Sequence, residues 1–247
     1  MELSDKIAIV TGGGSGLGQF LAFGLAEAGA GVVVADLDRA AAEETADQVR
    51  KRGVPATAVA GDIRDPGAPE GLIAAAAELG GPHILINNAG GWTTGDSQYP
   101  DAPPSAWGAT LDLNLRVPML LSQLALAPMS RLGGGAIVNV ASSAGRGFGG
   151  YGSPEYGATK AALIRFTATL AGLPESHGVR MTCIVPGWVG LARAHEQVAA
   201  LPPEQRAATH LIPPAEIVAV TLDLIRSGPS GTVIEIPEGE GARKLHD

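Results

Sequence analysis

The chain has 247 residues, of which 45% are apolar, 17% charged and 4% aromatic, with 35 glycines and one cysteine. This length is sufficient to bury a full hydrophobic core, and a single cysteine excludes a scaffold held together by disulfides. The formal net charge of −8 disfavours non-specific binding to nucleic acid or to anionic lipid. We therefore expect one globular domain over residues 1–247, with neither a nucleic-acid partner nor a membrane partner.

The amino-terminal residues are polar and acidic, without the basic and apolar regions of a secretory signal peptide. No run reaches the roughly 18 apolar residues of a membrane span. The longest candidate, residues 119–129, is interrupted by Ser122, Gln123 and Pro128. These features predict a cytoplasmic protein. Cys183 lies in an apolar run, which favours a buried thiol without a functional role.

Short runs rich in β-branched residues alternate with longer runs rich in Ala and Leu, which predicts an α/β fold. The arrangement we expect is a doubly wound parallel sheet of seven strands with helices on both faces, because most of the strands are continuously apolar. A kink or an offset is expected at Pro118, inside the fourth helix. The predicted strands cover residues 7–10, 32–35, 56–60, 84–86, 136–140, 179–185 and 232–236. The predicted helices cover residues 18–28, 39–52, 69–79, 105–131, 155–172 and 215–226.

A glycine-rich segment, residues 11–18 (Thr-Gly-Gly-Gly-Ser-Gly-Leu-Gly), joins the first strand to the first helix. Glycines at such a turn let the backbone approach a pyrophosphate held at the helix amino terminus. The second strand leads to Asp36, roughly 20 residues further on, where a carboxylate accepts hydrogen bonds from ribose hydroxyls. Asp36 would repel a 2′-phosphate, and Leu37 and Asp38 supply no arginine to bind one, so we expect NAD rather than NADP. A tight turn followed by a solvated aspartate is the alternative interpretation.

Polar residues also follow the third and fourth strands. Asp62 follows the third strand, and residues 87–90 (Asn-Asn-Ala-Gly) follow the fourth. Ligands of open α/β sheets bind outside the carboxyl ends of the strands, so both positions indicate a cofactor cleft. Alternatively, Asp62 caps a turn and the asparagines satisfy loop backbone groups.

Tyr156 and Lys160 stand four residues apart at the start of a predicted helix, so their side chains share one face. Ser142 follows the fifth strand and would bring a hydroxyl to the same edge of the sheet. A phenol has a reference pKa near 10, and a neighbouring lysine ammonium favours the phenolate. The phenolate would take the proton of a secondary alcohol as hydride leaves its carbon, or return it to a ketone. A surface Tyr–Lys pair is the alternative.

Taken in order, these motifs resemble those of the classical short-chain dehydrogenase/reductases over nearly the full chain. Asn114 and the Pro186–Gly187 pair also match that family. The resemblance implies an NAD(P)-dependent oxidoreductase with a Rossmann sheet of seven strands. It also implies that Asn114 holds a water linking Lys160 to solvent. The catalytic residues implied are Asn114, Ser142, Tyr156 and Lys160.

The resemblance further implies which residues contact the cofactor. Asp62 and Ile63 would lie beside the adenine, Asn88 beside a ribose, and the backbone of Val189 beside the nicotinamide carboxamide. The full predicted cofactor-binding set is Gly12, Ser15, Gly16, Leu17, Gly18, Asp36, Asp62, Ile63, Asn88, Gly90, Tyr156, Lys160 and Val189. Family members commonly pack as dimers or tetramers through the helices corresponding to residues 105–131 and 155–172, so we expect a homodimer or a homotetramer.

The chain departs from the family pattern in three places. The segment from Ser142 to Tyr156 is one residue longer than usual, and Ser143 is the alternative catalytic serine. Leu191 stands where the family often has a threonine that binds the carboxamide, which predicts weaker anchoring of the nicotinamide. Residues 236–241 lack the common Asp-Gly-Gly, which is expected to alter a subunit contact or the pocket floor.

Residues 191–214 form the predicted substrate lid. Beside it, Phe148 and Trp188 are expected to line an apolar pocket, with Trp92 and Tyr151 as weaker candidates; ordinary packing is the alternative for each. Arg146 is expected to be a solvated loop residue. No set of histidines, cysteines and carboxylates has metal-ligand spacing, so we predict no metal.

The leading hypothesis is an NAD-dependent oxidoreductase that interconverts a small secondary alcohol and a ketone, with an apolar or alicyclic substrate. Tyr156 would be its general acid and base. An NADP-linked 3-ketoacyl-type reductase is the alternative within the enzyme class, and Asp36 argues against it. A non-catalytic NAD-binding sensor is the alternative from another class, and the joint presence of all four catalytic residue types argues against it.

Overall fold

The computed structural model describes residues 1–91, 98–147 and 152–245. Its strands form one sheet in the order β3-β2-β1-β4-β5-β6-β7-β8. The first seven are mutually parallel, as predicted, and β8 is a short antiparallel addition at the edge. The strand β8 has only two residues, which is too short for a strand pattern to be detected in the sequence. The strands are β1 Ile7–Thr11, β2 Gly31–Asp36, β3 Ala56–Ala60, β4 Ile84–Asn87, β5 Gly135–Val140, β6 Val179–Pro186, β7 Val233–Ile236 and β8 Arg243–Lys244.

Helices cover both faces of the sheet, so the doubly wound Rossmann fold is confirmed. The helices of the described residues are α1 Gly16–Glu27, α2 Arg39–Arg50, α3 Ala68–Glu78, α4 Pro104–Leu111, α5 Val117–Arg131, α6 Pro154–Ala168, α7 Leu173–His177, α8 Ala192–Ala199, α9 Pro203–Ala208 and α10 Pro214–Ser227. Successive residues of each strand point to opposite faces. Ala8 and Val10 of β1 therefore join a core with α1, α2 and α10, whereas Ile7 and Ile9 join a second core with α3 and α5.

The helix predicted over residues 105–131 is divided in the structure. A π-helical turn, Asp112–Arg116, separates α4 from α5, and Asn114 lies fully buried within it. Pro118 has no N–H, so it cannot close the α-helical hydrogen bond to the carbonyl of Asn114. The expected offset is therefore present as a widened turn just before the proline.

The predicted helix over residues 155–172 ends at Ala168 and is followed by the separate short α7. The stretch over residues 191–214 contains α8 and α9. Among the helices within the described ranges, none is both long and apolar enough to cross a membrane.

The topology brings distant segments of the chain to one edge of the sheet. Parallel strands end at the same edge, and the strand order reverses between β1 and β4. Crevices at such a reversal are where ligands bind in open α/β sheets. The glycine-rich turn, Asp36, Asp62, Asn88, Ser142 and Pro186 all lie at or directly after strand ends on this edge.

Candidate active site

The glycine-rich turn after β1 is held in a tight conformation that only glycine suits. Gly12 has a φ of +63°, in the left-handed region that glycine adopts without a steric penalty. A Cβ on Gly18 would lie 2.0 Å from the carbonyl oxygen of Gly12, so any side chain there would force the turn apart. The backbone of this turn is therefore open to a ligand at the amino terminus of α1.

Asp36 ties the end of β2 to this turn. One carboxylate oxygen accepts a hydrogen bond from the Gly14 N–H at 2.9 Å, and the other accepts one from the Asp38 N–H at 3.0 Å. The residue is half-buried and lines both of two adjoining cavities, which we name after Asp62 and Tyr156. The two cavities share Gly12, Asp36, Ala89 and Gly90, so they form one continuous cleft.

The Asp62 cavity, of ≈ 360 Å³, is lined by Asp62 and Ile63 on one side and by Asp36 and Gly12 on the other. Asp62 is not a free carboxylate. The Arg64 guanidinium binds it in a bidentate manner, with Nε 2.9 Å from Oδ1 and Nη2 2.6 Å from Oδ2. These hydrogen bonds lower the pKa of Asp62. Sequence analysis missed Arg64, although an arginine two residues after a strand-end aspartate is within reach of it.

The Tyr156 cavity, of ≈ 370 Å³, brings together three of the four predicted catalytic residues. Tyr156 and Lys160 reach it from the first two turns of α6, and Ser142 reaches it from the end of β5. The Lys160 Nζ lies 5.5 Å from the centroid of the Tyr156 ring. Ser143 starts a short 3₁₀ turn, is exposed and does not line the cavity. The geometry therefore favours Ser142 over Ser143.

Lys160 is only 3% exposed, and its Nζ donates a hydrogen bond to the Val140 carbonyl at 2.8 Å. Burial disfavours the charged ammonium and lowers the pKa of Lys160 to about 8. The nearby Cys183 is fully buried, as predicted, and burial raises the pKa of its thiol to about 12. The thiol therefore stays neutral beside the lysine.

Asn114, the fourth predicted catalytic residue, lies behind the cavity rather than on its wall. Its Nδ2 donates to the carbonyls of Gly91 at 2.7 Å and Thr110 at 3.0 Å, and its Oδ1 accepts from the Gly91 N–H at 2.9 Å. The side chain is thus committed to the backbone that follows β4. A Cβ on Gly90 would lie 2.7 Å from Asn114 Oδ1 and 3.0 Å from Lys160 Nζ, so Gly90 fills the narrow space beside both residues.

Most of the other predicted cofactor residues border the Tyr156 cavity. Asn88 also donates hydrogen bonds from Nδ2 to the carbonyls of Thr11 at 2.9 Å and Gly12 at 3.2 Å, which fastens the end of β4 to the glycine turn. Gly16 begins α1 and Gly18 is buried behind the turn, and neither lines the cavity. The predicted residues that line it are Gly12, Ser15, Leu17, Asp36, Asn88, Gly90, Tyr156, Lys160 and Val189.

Leu191 also lines the Tyr156 cavity and spans from the lid to the glycine turn, with its Cδ1 3.6 Å from the position of a Cβ on Gly16. Trp188 is 37% exposed and lines neither cavity. Its backbone N–H donates to the carboxylate of Glu238, so the atypical carboxyl-terminal segment holds the strand end that carries Val189. Sequence analysis did not identify this contact.

Predicted pocket residues Trp92, Phe148 and Tyr151 lie outside the described residues. Arg146 is an exposed loop residue, as expected, and it also has an ionic partner. Arg146 forms an ion pair with Glu235, a side chain that is only 11% exposed and also binds Arg243 of β8. Over the described ranges, no group of three or more histidines, cysteines or carboxylates is placed to hold a metal ion.

Residues 6–201 match the short chain dehydrogenase family. The chain is 33% identical to a 3-oxoacyl-[acyl-carrier-protein] reductase of Vibrio cholerae, over 85% of this chain and 82% of that protein. It is 34% identical to the cis-4-hydroxycyclohexanecarboxylate dehydrogenase of Sinomonas cyclohexanicum, over 83% of this chain and 80% of that protein.

The fold is similar to that of a solved 7α-hydroxysteroid dehydrogenase in complex with NADH and 7-oxo glycochenodeoxycholic acid. The TM-score is 0.85 and the identity 30%, covering 99% of this chain and 97% of that one. The family match, the relatives and the shared fold agree with the order of motifs along the chain. The chain belongs to the short-chain dehydrogenase family of NAD(P)-dependent oxidoreductases that act on CH–OH groups.

Proposed function

We propose that this enzyme is an NAD-dependent dehydrogenase that interconverts a secondary alcohol and a ketone, with Tyr156 as general acid and base. The observation that carries the proposal is the placement of Ser142, Tyr156 and Lys160 around one cavity that continues past Asp36. A proton-transfer group and a nucleotide-binding edge thus share one cleft, as hydride transfer to a dinucleotide requires.

The residues of the cleft fit a dinucleotide. Gly12 borders the cleft without a side chain, so the backbone of the glycine turn can approach a pyrophosphate at the start of α1. Asp36 offers carboxylate oxygens to ribose hydroxyls, and Asp62 and Ile63 border the place expected for the adenine. Ser15, Leu17, Asn88, Gly90 and Val189 would contact the remainder of the cofactor. NAD, when bound, would accept the hydride from the alcohol carbon.

The residues of this chain would move the proton. Ser142 would hold the substrate oxygen, and the Tyr156 phenolate would take the hydroxyl proton. The Lys160 ammonium would stabilise that phenolate through its positive charge. The Asn114 side chain already forms hydrogen bonds with the backbone of Gly91. The main-chain carbonyl of Asn114 receives no helical hydrogen bond from Pro118, because proline has no N–H. A water held by Asn114 would therefore donate to this carbonyl.

The substrate class that we propose is an alicyclic secondary alcohol or ketone. Two relatives support it by their names, one a dehydrogenase of a hydroxycyclohexane carboxylate and the other a 7α-hydroxysteroid dehydrogenase. In both names the hydroxyl is carried by a saturated ring. The lid at residues 191–214 would cover this substrate, with Phe148 as a proposed contact; Trp188 lines neither cavity of the cleft.

A 3-ketoacyl-type reductase using NADP is the second candidate, favoured by the similarity to the Vibrio cholerae reductase. Asp36 argues against it, because its carboxylate would repel a 2′-phosphate, and Leu37 and Asp38 provide no positive charge.

We also propose that residues 1–247 form one domain.

We further propose a homodimer or homotetramer that packs through α5 and α6. These helices border a mostly apolar groove of ≈ 620 Å³, whose lining includes Leu120, Leu126, Phe166, Leu170 and the 41% exposed Met119. A second copy would cover these side chains. The cytoplasmic location stays a prediction.

The experiment that tests the proposed function follows reduced-nicotinamide fluorescence while the purified enzyme meets a panel of cyclohexanols and hydroxysteroids with NAD or NADP. Formation of NADH that depends on the alcohol and is lost in Tyr156→Phe supports the proposal. A clear preference for NADPH with 3-ketoacyl thioesters supports the second candidate. Tight NAD binding without turnover of any alcohol or ketone would favour a binding protein instead.

A further inference from the structure

A second pocket lies at the amino-terminal edge of the sheet, opposite the cleft. Lys6 directly precedes β1, His83 directly precedes β4, and Arg180 is the second residue of β6. Together with Arg226 from the last turn of α10, they line a pocket of ≈ 330 Å³. None of these residues belongs to the catalytic machinery described above.

The pocket concentrates positive charge in a chain whose formal net charge is −8. Its described lining includes Lys6, Arg180 and Arg226 and no aspartate or glutamate. Lys6 forms no ion pair with any described residue. Arg226 Nη1 lies 3.5 Å from Asp223 on the same helix, and both side chains are largely exposed, so that pairing is weak. The side chains of Lys6 and Arg226 are thus available to bind an anion.

His83 supplies the second observation. It is 8% exposed, lines the pocket and accepts a hydrogen bond at Nδ1 from the Ile7 N–H at 3.1 Å. Nδ1 therefore carries no proton, and the ring hydrogen sits on Nε2, which donates to no described residue. This N–H is therefore available to a ligand in the pocket that His83 lines.

Arg180 has a different part in the pocket. Its guanidinium donates to the carbonyls of Leu224 at 3.0 Å and Gly228 at 2.6 Å, and also to that of Ile225. It therefore fastens the carboxyl end of α10, which carries Arg226, to the sheet. Arg180 contributes charge and holds the wall in place, while Lys6, Arg226 and His83 keep donors for a ligand.

We propose that this pocket binds a small anion bearing a phosphate group, with Lys6, Arg226 and His83 as its direct contacts. A phosphate has several acceptor oxygens in a tetrahedral arrangement, which suits an ammonium, a guanidinium and an imidazole N–H that come from three separate segments of the fold. The volume accommodates a phosphomonoester as well as inorganic phosphate. The proposal does not depend on the substrate or on the cofactor of the cleft.

The test measures the thermal unfolding midpoint of the full chain with saturating NAD, which occupies the pyrophosphate site of the cleft. Inorganic phosphate and glycerol 3-phosphate are titrated in separate arms, against sodium chloride at equal ionic strength. We expect a saturable rise of roughly 2 °C or more at about 10 mM of at least one phosphate. A response to both arms identifies the phosphate group itself as the ligand, and a response to the ester alone identifies a phosphorylated small molecule.

The variant Lys6→Gln/Arg226→Gln removes two side chains that lie at the surface and leaves Arg180 in place. It should weaken phosphate binding at least about tenfold while its affinity for NAD stays unchanged. Lys51→Gln/Lys244→Gln makes the same change in net charge at two exposed positions outside the pocket and should keep the full response. Equal responses in both double variants, or no response of the unmodified enzyme beyond that to sodium chloride, would overturn the proposal.

Discussion

The Lys160 ammonium lies 5.5 Å from the centroid of the Tyr156 ring, and the lysine is only 3% exposed. The two residues are one helical turn apart on α6, so the local backbone sets their separation. A buried positive charge at this distance stabilises a phenolate more strongly than an exposed one, because water screens it less. The position of Lys160 therefore favours ionisation of the Tyr156 hydroxyl.

Tyr156→Phe should lower kcat by at least about 10²-fold, because it removes the hydroxyl that carries the proton. NAD affinity should change little, since the glycine turn and Asp36 are untouched. Steady-state kinetics and a fluorescence titration with NADH measure the two effects. A variant that keeps near-normal turnover would remove Tyr156 from the proposed mechanism.

The depressed pKa of Lys160 predicts how stability depends on pH. Its pKa is about 8 in the folded enzyme and 10.5 for a lysine in water, so between these values the unfolded state binds more protons. Stability contributed by this residue should therefore rise as pH increases from about 8 to about 10.5 and be flat below about 8. Across this window, the contribution of Lys160 to the free energy of unfolding should change by roughly 3 kcal/mol.

Lys160→Met provides the comparison for this pH effect, because methionine has a similar length and no charge. Urea unfolding of both proteins without cofactor, at pH values between 7 and 10, gives the difference in unfolding free energy. We expect the unmodified enzyme to gain stability relative to Lys160→Met across the window. A difference that does not vary with pH would show that the lysine titrates at its ordinary value.

Asp36→Asn should shift the cofactor preference towards NADP. The amide keeps an acceptor for the Gly14 N–H but removes the charge that would repel a 2′-phosphate. The ratio of kcat/KM for NAD to that for NADP should fall at least about tenfold. Asp38→Asn is the matched control, because it removes the same charge two residues further along the chain. The Asp38 side chain caps α2 and lines neither cavity. An equal shift in both variants would assign the effect to general charge.

Gly90→Ala should reduce activity because its Cβ would lie 2.7 Å from Asn114 Oδ1 and 3.0 Å from Lys160 Nζ. Displacement of the lysine by a fraction of an ångström is expected to lower kcat by at least about tenfold. Gly91→Ala adds the same atom one residue later, where nothing lies within 4 Å. It should retain activity. Equal kcat values for the two variants would show that the packing around Gly90 does not position Lys160.

Local signals in the sequence were strong enough to predict much of this enzyme. The apolar strands, the glycine turn, Asp36 and the Tyr156–Lys160 spacing each depend on residues close together in the chain, so the fold class and the edge of the sheet where the motifs meet could be predicted. The division of the fourth helix was partly predictable, because Pro118 marks it. The contacts of the π-helical turn with α6 and with the backbone after β4 join distant segments, and no local pattern encodes them.

What the sequence by itself determined was therefore the doubly wound sheet and the list of polar residues at its carboxyl edge. Only the tertiary structure decided how those residues are partnered. It placed Ser142 rather than Ser143 on the cavity wall, paired Asp62 with Arg64 and engaged the Asn114 side chain with Gly91. It also brought Lys6, His83 and Arg226 together from positions 6, 83 and 226 of the chain. Apart from the Asp62–Arg64 pair and the adjacent serines, these contacts depend on the relative placement of elements distant in sequence, and short-range patterns carry no information about that placement.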